Sequence, residues 1–328
     1  MRVLDRIEKE MGYCEVKLEK ERRLRCQELY LRADVEALKE VLRSYSKVKF
    51  EEALKSNRLG GYSIAELPGV MRNGPKEGAQ RVRAAFVSVA LQWALRETQE
   101  LLANELEGVI ERLTSYTDFK GKRTNLLEQR QDMLEHLGLE DDEFAGEVLE
   151  GFEKIENRWN QVSEDLVNVE TALTHLQSNL DYLRSARSFI LGARASFDVD
   201  EWCRTGYLSD LFRHSPVSRV FEMVRCADLN VRLAEKELVC LARWPHHAHK
   251  SITVLGPFVH RLFDDLFTRG NFQSTKAVIE ETEEKNRREH QALAKFCEKL
   301  TDERCGLDRE REEKFAELSH SVKRLVCN

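Results

Sequence analysis

A seven-residue hydrophobic repeat in the middle of the chain limits its fold more than any other feature. In steps of four and three from Val148, a seam passes through Phe152, Ile155, Trp159, Val162, Leu166, Val169, Leu173, Leu176, Leu180, Leu183, Arg187 and Ile190, and Arg187 alone breaks its apolar character. Strands repeat every two residues, and loops keep no such period. The spacing therefore predicts one helix from about Asp142 to Leu191, stopped by Gly192 and roughly 75 Å long at 1.5 Å per residue. With Val148 at position d, the a positions are Phe152, Trp159, Leu166, Leu173, Leu180 and Arg187, and β-branched residues collect at d. That distribution disfavours a two-stranded parallel zipper and suits a bundle in which three or four helices share the core.

Partner helices are readable on both sides. One stripe of Leu4, Ile7, Met11, Cys14 and Leu18 and another of Leu31, Val35, Leu38, Leu42 and Tyr45 predict a long helix from Val3 to Lys55, within an N-terminal segment 1–57. A connector at 58–75 carries glycines and prolines. A central bundle at 76–243 follows, with a helix at Lys76–Tyr116 that is apolar nearly all round at its start, a shorter one at Thr124–Leu137, and the heptad helix 142–191. Ser215 and Pro216 give an N-cap and a first helical position for a further helix. Its seam, Val217, Val220, Val224, Ala227, Val231, Ala234, Leu238 and Leu241, is wholly apolar and is expected to end at Trp244-Pro245. Segment 244–273 reads as a loop and short helix. Segment 274–328 reads as a charged helix, expected to project or dock loosely because Glu280–His290 holds no aliphatic or aromatic side chain. The fold class expected is all-α: an elongated bundle of long antiparallel helices with coiled-coil-type packing.

Charge and composition narrow the function classes. Lys and Arg number 52 against 58 Asp and Glu, a net charge of -6, so nucleic acid is not expected as a partner. Eight cysteines include no Cys-x-x-Cys pair, and the N-terminal MRVLDRIEKE lacks the apolar run of a secretory signal. A reducing, cytoplasmic setting is the expectation, with the thiols acting as small hydrophobes.

Several motifs invite chemistry, and each has a plainer reading. The first linker lacks the Gly-x-x-x-x-Gly-Lys-Ser/Thr phosphate pattern, so it reads as a connector whose Ile64, Leu67 and Met71 either fold back on the bundle or dock a partner. His246, His247 and His249 are weak metal candidates in a tract without zinc-site spacing, favoured as a solvated loop. Trp202 lies in an aromatic connector with arginines, favoured as a packed corner. Arg184, Arg187 and Arg194 form a modest basic cluster that could attract an anionic membrane surface. From Glu135 to Glu156 nine acidic residues accompany one lysine, which suits a helix N-terminus. No cofactor and no catalytic residue is expected.

Two resemblances bear on this. The segment IENRWNQVSEDLVNVETAL, Ile155 to Leu173, resembles a helix of the spectrin-repeat family through Trp159, the apolar residue three further on, and Leu173, while Trp93 on an earlier helix matches the family's other tryptophan. Val169 stands where that family carries a basic residue. The resemblance implies a three-helix element used for spacing and binding. The set of long, striped helices is also similar in outline to BAR domains, which implies dimerisation and binding to curved membranes.

The expected function is that of an intracellular structural or adaptor protein that binds other proteins through helical surfaces, as a homodimer. A peripheral membrane protein is the alternative, and an enzyme without a sequence-visible site comes third. If the central helix is real, Leu173→Pro breaks its hydrogen-bond ladder and costs at least about 3 kcal/mol. A thermal melt that barely moves would remove the helix.

Overall fold

The computed structural model describes residues 2–45, 50–116, 118–136, 143–196, 206–208, 212, 216–241, 254–268 and 271–327. They form an all-α bundle. In chain order its helices are α1 (Arg2–Tyr45), α2 (Phe50–Ser56), α3 (Leu67–Asn73), α4 (Lys76–Thr114), α5 (Phe119–His136), α6 (Glu143–Ser196), α7 (Pro216–Leu238), α8 (Leu255–Phe267) and α9 (Gln273–Cys327). Two short strands, β1 (Arg58–Leu59) and β2 (Tyr62–Ser63), make a small hairpin.

Helix α6 is the spine, about 80 Å long for its 54 residues. From Val162 to Ile190 its apolar seam is buried except at half-buried Leu173. Beside the seam a second row with the same spacing, Asp165, Ala172, Asn179 and Ala186, is buried too. The buried face is therefore wide enough for two neighbours, and α7 and α9 both pack on it, antiparallel to α6. The small Ala side chains let the helices approach closely.

Helices α1 and α4 pair antiparallel through Leu31, Val35 and Leu38 against Leu102 and Val109, with Leu229 and Leu233 of α7 packed on that cluster. Helix α5 folds back on the first turns of α1, where Tyr13 meets Phe119 with ring centroids 6.1 Å apart and Arg123 reaches Glu15 at 2.8 Å. At the far end of the bundle an apolar head joins the starts of α4, α7 and α9, the end of α6, and α8. Phe86 sits at its centre, 4.4 Å from the ring of Phe263 and 5.7 Å from that of Phe212.

The connector at 58–75 belongs to this head. Gly60 and Gly61 take positive φ, 58° and 93°, the backbone a two-residue hairpin turn needs. A side chain on Gly60 would also lie 2.8 Å from the backbone nitrogen of Val82, so the turn sits directly on α4. Ile64 and Leu67 are core residues, 2% and 0% exposed, and Met71 packs against the same core. The fold-back reading holds for these three residues, and they offer no docking face.

Other differences have local causes. Two helices, α1 and α2, occupy the region expected to be one helix over 3–55. Helix α5 begins at Phe119 because the Asp118 carboxylate accepts from the Gly121 amide at 2.8 Å, a cap that the adjoining glycine obscured. Helix α6 runs through Gly192 to Ser196, and α7 ends at Leu238, short of Trp244. The largest difference is α9, which lies along α6 rather than projecting. Ile279, Leu293, Leu300 and Leu307 are buried, and the polar run is anchored from within: Asn286 donates to the Asn179 side chain at 2.8 Å, and Asn179 donates to the Ala227 carbonyl at 2.8 Å. One buried amide chain thus crosses α9, α6 and α7.

Leu183, fully buried, and Leu191, 57% exposed, sit two turns apart on one helix. Leu183→Ala should cost about 2–5 kcal/mol in chemical denaturation, whereas Leu191→Ala should stay within about 0.5 kcal/mol. Equal effects would contradict the packing.

Candidate functional site: a buried charge layer

Where α1 meets α7 and α6, the interior is charged. The side chains on α1 recur on one face, Arg23, Gln27, Tyr30 and Asp34, and those on α7 answer in antiparallel order. Asp34 accepts from Arg232 at 2.7 Å, Tyr30 donates to Glu235 at 2.9 Å, and Gln27 donates to Glu237 at 2.7 Å. One turn further, Arg23 leaves α7 for α6, reaching Asp165 at 2.8 Å and Glu164 at 3.4 Å. Lys236 reaches across to Glu105 of α4 at 2.7 Å, with Glu237 at 2.9 Å. Asp228 holds Arg232 at 3.3 Å and accepts from the Val254 amide at 3.2 Å, so it ties the start of α8 to α7.

The layer is unbalanced. Five cations, Arg22, Arg23, Arg112, Arg232 and Lys236, face eight carboxylates, Glu19, Asp34, Glu105, Glu164, Asp165, Asp228, Glu235 and Glu237, of which Asp165, Asp228, Glu235 and Glu237 are buried. Charges taken from water need a partner, and those left over hold their protons more tightly. Burial pushes Glu235 up to about 7, against the Tyr30 hydrogen bond and the Arg232 charge, with Asp34 and Asp228 adding to the rise. Burial likewise raises Asp228 and Glu164. Tyr30 is raised by burial and by its acidic neighbours Glu235 and Asp34, so it stays a phenol donor. Burial works against the Arg232 charge, yet Asp228 and Asp34 hold its pKa above the ordinary value. Chemically the arrangement sets helix register and takes up or releases a proton at Glu235.

The residues expected to act at the surface lie elsewhere. Arg184 and Arg187 both turn to the buried Glu283 of α9, Arg184 at 3.4 Å and Arg187 at 3.1 Å, and Asp181 also binds Arg184 at 3.0 Å. Both side chains stay partly exposed, paired along the edge between α6 and α9. Arg194 belongs to the last turns of α6. Trp202, His246, His247 and His249 lie outside the described residues. Among the described residues no group of His, Cys, Asp or Glu is placed to hold a metal ion, and no helix is long and apolar enough to cross a membrane.

An open cleft of about 410 Å³ lies between α1 and the α4–α5 turn, lined by Leu18, Arg22, Arg25, Tyr116, Phe119 and Lys120 among others. Two of its cations are already matched, Arg22 by Glu19 and Arg25 by Glu21. Of the cysteines expected as filler, Cys14 is buried, while Cys26, Cys226, Cys240 and Cys297 are half-buried and Cys305 is exposed. Comparison with protein families, curated proteins and solved structures gave no match.

The raised Glu235 pKa has a definite sign. Between its unfolded value near 4.5 and its folded value near 7, the native state holds a proton that the unfolded chain has lost, so stability is full below 4.5 and falls as pH rises through 7. Thermal stability should therefore drop from pH 5.5 to pH 8. Glu235→Gln, which keeps an acceptor for Tyr30 without the charge, should flatten the part of that slope due to this group, about 2 kcal/mol between pH 5.5 and pH 8. An unchanged slope in the variant would show Glu235 to be ionised throughout.

Proposed function

We propose that this protein is a helical scaffold or adaptor that presents the outer face of α6 to a helix of another protein or of a second copy. The observation that supports this is the chemistry of that face between Val167 and Phe189, which are 57% and 40% exposed. Between them, Thr171, Thr174 and Ser178 donate their hydroxyls to the carbonyls four residues back, of Val167, Glu170 and Thr174, at 2.8, 2.9 and 3.0 Å. Hydroxyls satisfied within their own helix lose little when covered, and short side chains allow close approach. Two exposed apolar residues then give the strip an anchor at each end. A cytoplasmic location and a homodimer fit this reading, as does coiled-coil contact along α6.

The membrane alternative draws on the basic cluster, and Arg184 and Arg187 weaken it because both are already paired, Arg184 with Asp181 and Glu283 and Arg187 with Glu280 and Glu283. An enzymatic reading has less support, since the perturbed carboxylates face other helices and not a cleft.

Thr174→Arg with Ser178→Arg tests the strip. Helicity and melting temperature should be kept, while light scattering or co-purification from the native cell should register loss of the dimer or partner. Unchanged mass and unchanged partners would overturn the proposal. Anionic vesicles provide the second arm: salt-sensitive sedimentation abolished by Arg184→Glu and Arg187→Glu would favour the membrane reading.

A further inference from the structure

We infer that Cys26 and Cys240 form a redox-modifiable dithiol that, on oxidation by a hydroperoxide, closes a disulfide locking α1 to the end of α7. The inference rests on register. Asp34 faces Arg232, Tyr30 faces Glu235 and Gln27 faces Glu237, so each step of one helical turn forward on α7 is a step of one turn back on α1. Continuing that register past Leu238 brings residue 240 opposite the turn from Arg23 to Gln27. Cys240 is there, its Sγ 3.6 Å from the Arg23 carbonyl oxygen. Side chains on a helix lean toward its N-terminus, so Cys26 covers the turn that begins at Arg23. After burial, Cys26 is the neighbour that acts most strongly on the Cys240 thiol. Both are half-buried, within reach of a small oxidant yet held in place by the packing around them.

The surroundings assign each sulfur a part. Burial, and then the neighbouring Cys26, push the Cys240 thiol up to about 12, against the pull of Arg23 and with Glu237 adding to the rise. Cys240 keeps its proton and serves as the resolving sulfur, which leaves Cys26 to meet the oxidant first. Arg22 lies beside both sulfurs and favours an anion there. The Cys26 thiolate attacks one oxygen of hydrogen peroxide, the O–O bond breaks, and the departing hydroxide takes up a proton to become water, which leaves Cys26 as a sulfenic acid. The Cys240 sulfur then attacks the sulfenic sulfur. An S–S bond forms, and hydroxide leaves with the Cys240 proton as a second water. Two thiols and one peroxide thus give one disulfide and two waters, the sulfurs being oxidised and the peroxide oxygens reduced.

The consequence is mechanical. The link would cross the charged boundary between α1 and α7, adding a covalent bond to an interface held by one ion pair and two hydrogen bonds. It would form independently of any partner at the α6 face.

The test uses the full chain, reduced, freed of reductant and treated with a few equivalents of hydrogen peroxide. Peptide mapping without reduction should show one linked Cys26–Cys240 peptide, two hydrogens lighter than the sum of its parts, and its disappearance on adding dithiothreitol. Before oxidation, phenylarsine oxide, which bridges adjacent thiols, should protect both cysteines of the wild type from alkylation and neither cysteine left in Cys26→Ser or Cys240→Ser. The wild-type map decides the matter even if a variant fails to fold. Cysteines 26 and 240 left alkylatable after oxidation, paired with other cysteines, or driven separately to sulfinic acid would each overturn the inference.

Discussion

The architecture depends on the width of the face that α6 must bury. A heptad seam alone needs one neighbour. Here Asp165, Ala172, Asn179 and Ala186 run beside the seam at the same seven-residue spacing and are buried with it, so the apolar stripe together with this row spans more than one partner can cover. Two long helices are required, and α7 and α9 supply them. Their places are fixed by Asn179, fully buried, which spends its amide on the Ala227 carbonyl and its oxygen on Asn286. A slip of either helix by one turn would leave these amides unpaired in the core, a cost of about 1–3 kcal/mol for each group. The polar residue specifies what the apolar seam only attracts.

That division explains which parts of the fold could be read from the sequence. The spine and its length were legible, because apolar periodicity is a property of one helix by itself. So was the start of α7 at Pro216. The docking of α9 was not, because Glu280–His290 looks solvated until Glu283 and Asn286 are seen to meet Arg187 and Asn179, which lie about a hundred residues earlier in the chain. The charge layer did leave a trace. On α7, Arg225, Asp228, Arg232 and Glu235 each stand one place after a seam residue, at Val224, Ala227, Val231 and Ala234, and so keep the period of the core. A charged row in phase with an apolar one marks a flank that faces another helix. Choosing its partner, Arg23 to Asp34 on α1, needed the tertiary arrangement.

Burying four carboxylates, Asp165, Asp228, Glu235 and Glu237, with the cations Arg23, Arg232 and Lys236 gives the bundle little net stability, because the attraction recovered in each pair is offset by the water lost. Its contribution is discrimination. Arg232 fits only where Asp34 and Asp228 converge, and Lys236 only beside Glu105 and Glu237, so α1 and α4 have a single way to sit on α7. Burial, with Asp34 and Asp228 adding to it, makes Glu235 hold its proton into the neutral range. It also makes this boundary the part of the interior most responsive to pH.

The two ends of the molecule are therefore held by different forces. In the head, Phe86, Phe212, Phe258 and Phe263 form a continuous apolar mass that joins α4, α7 and α8, and opening it would expose hydrocarbon to water. Along the stem, separating α1 from α7 would return most of the exposed groups to a solvent that hydrates them well, and the apolar penalty falls mainly on Leu229 and Leu233. A helical rod built this way resists unfolding from its head while its α1 boundary stays the weaker joint. Cys26 and Cys240 sit at that joint, beside the last of its hydrogen bonds, Gln27 to Glu237, where a covalent bond would change the mechanics.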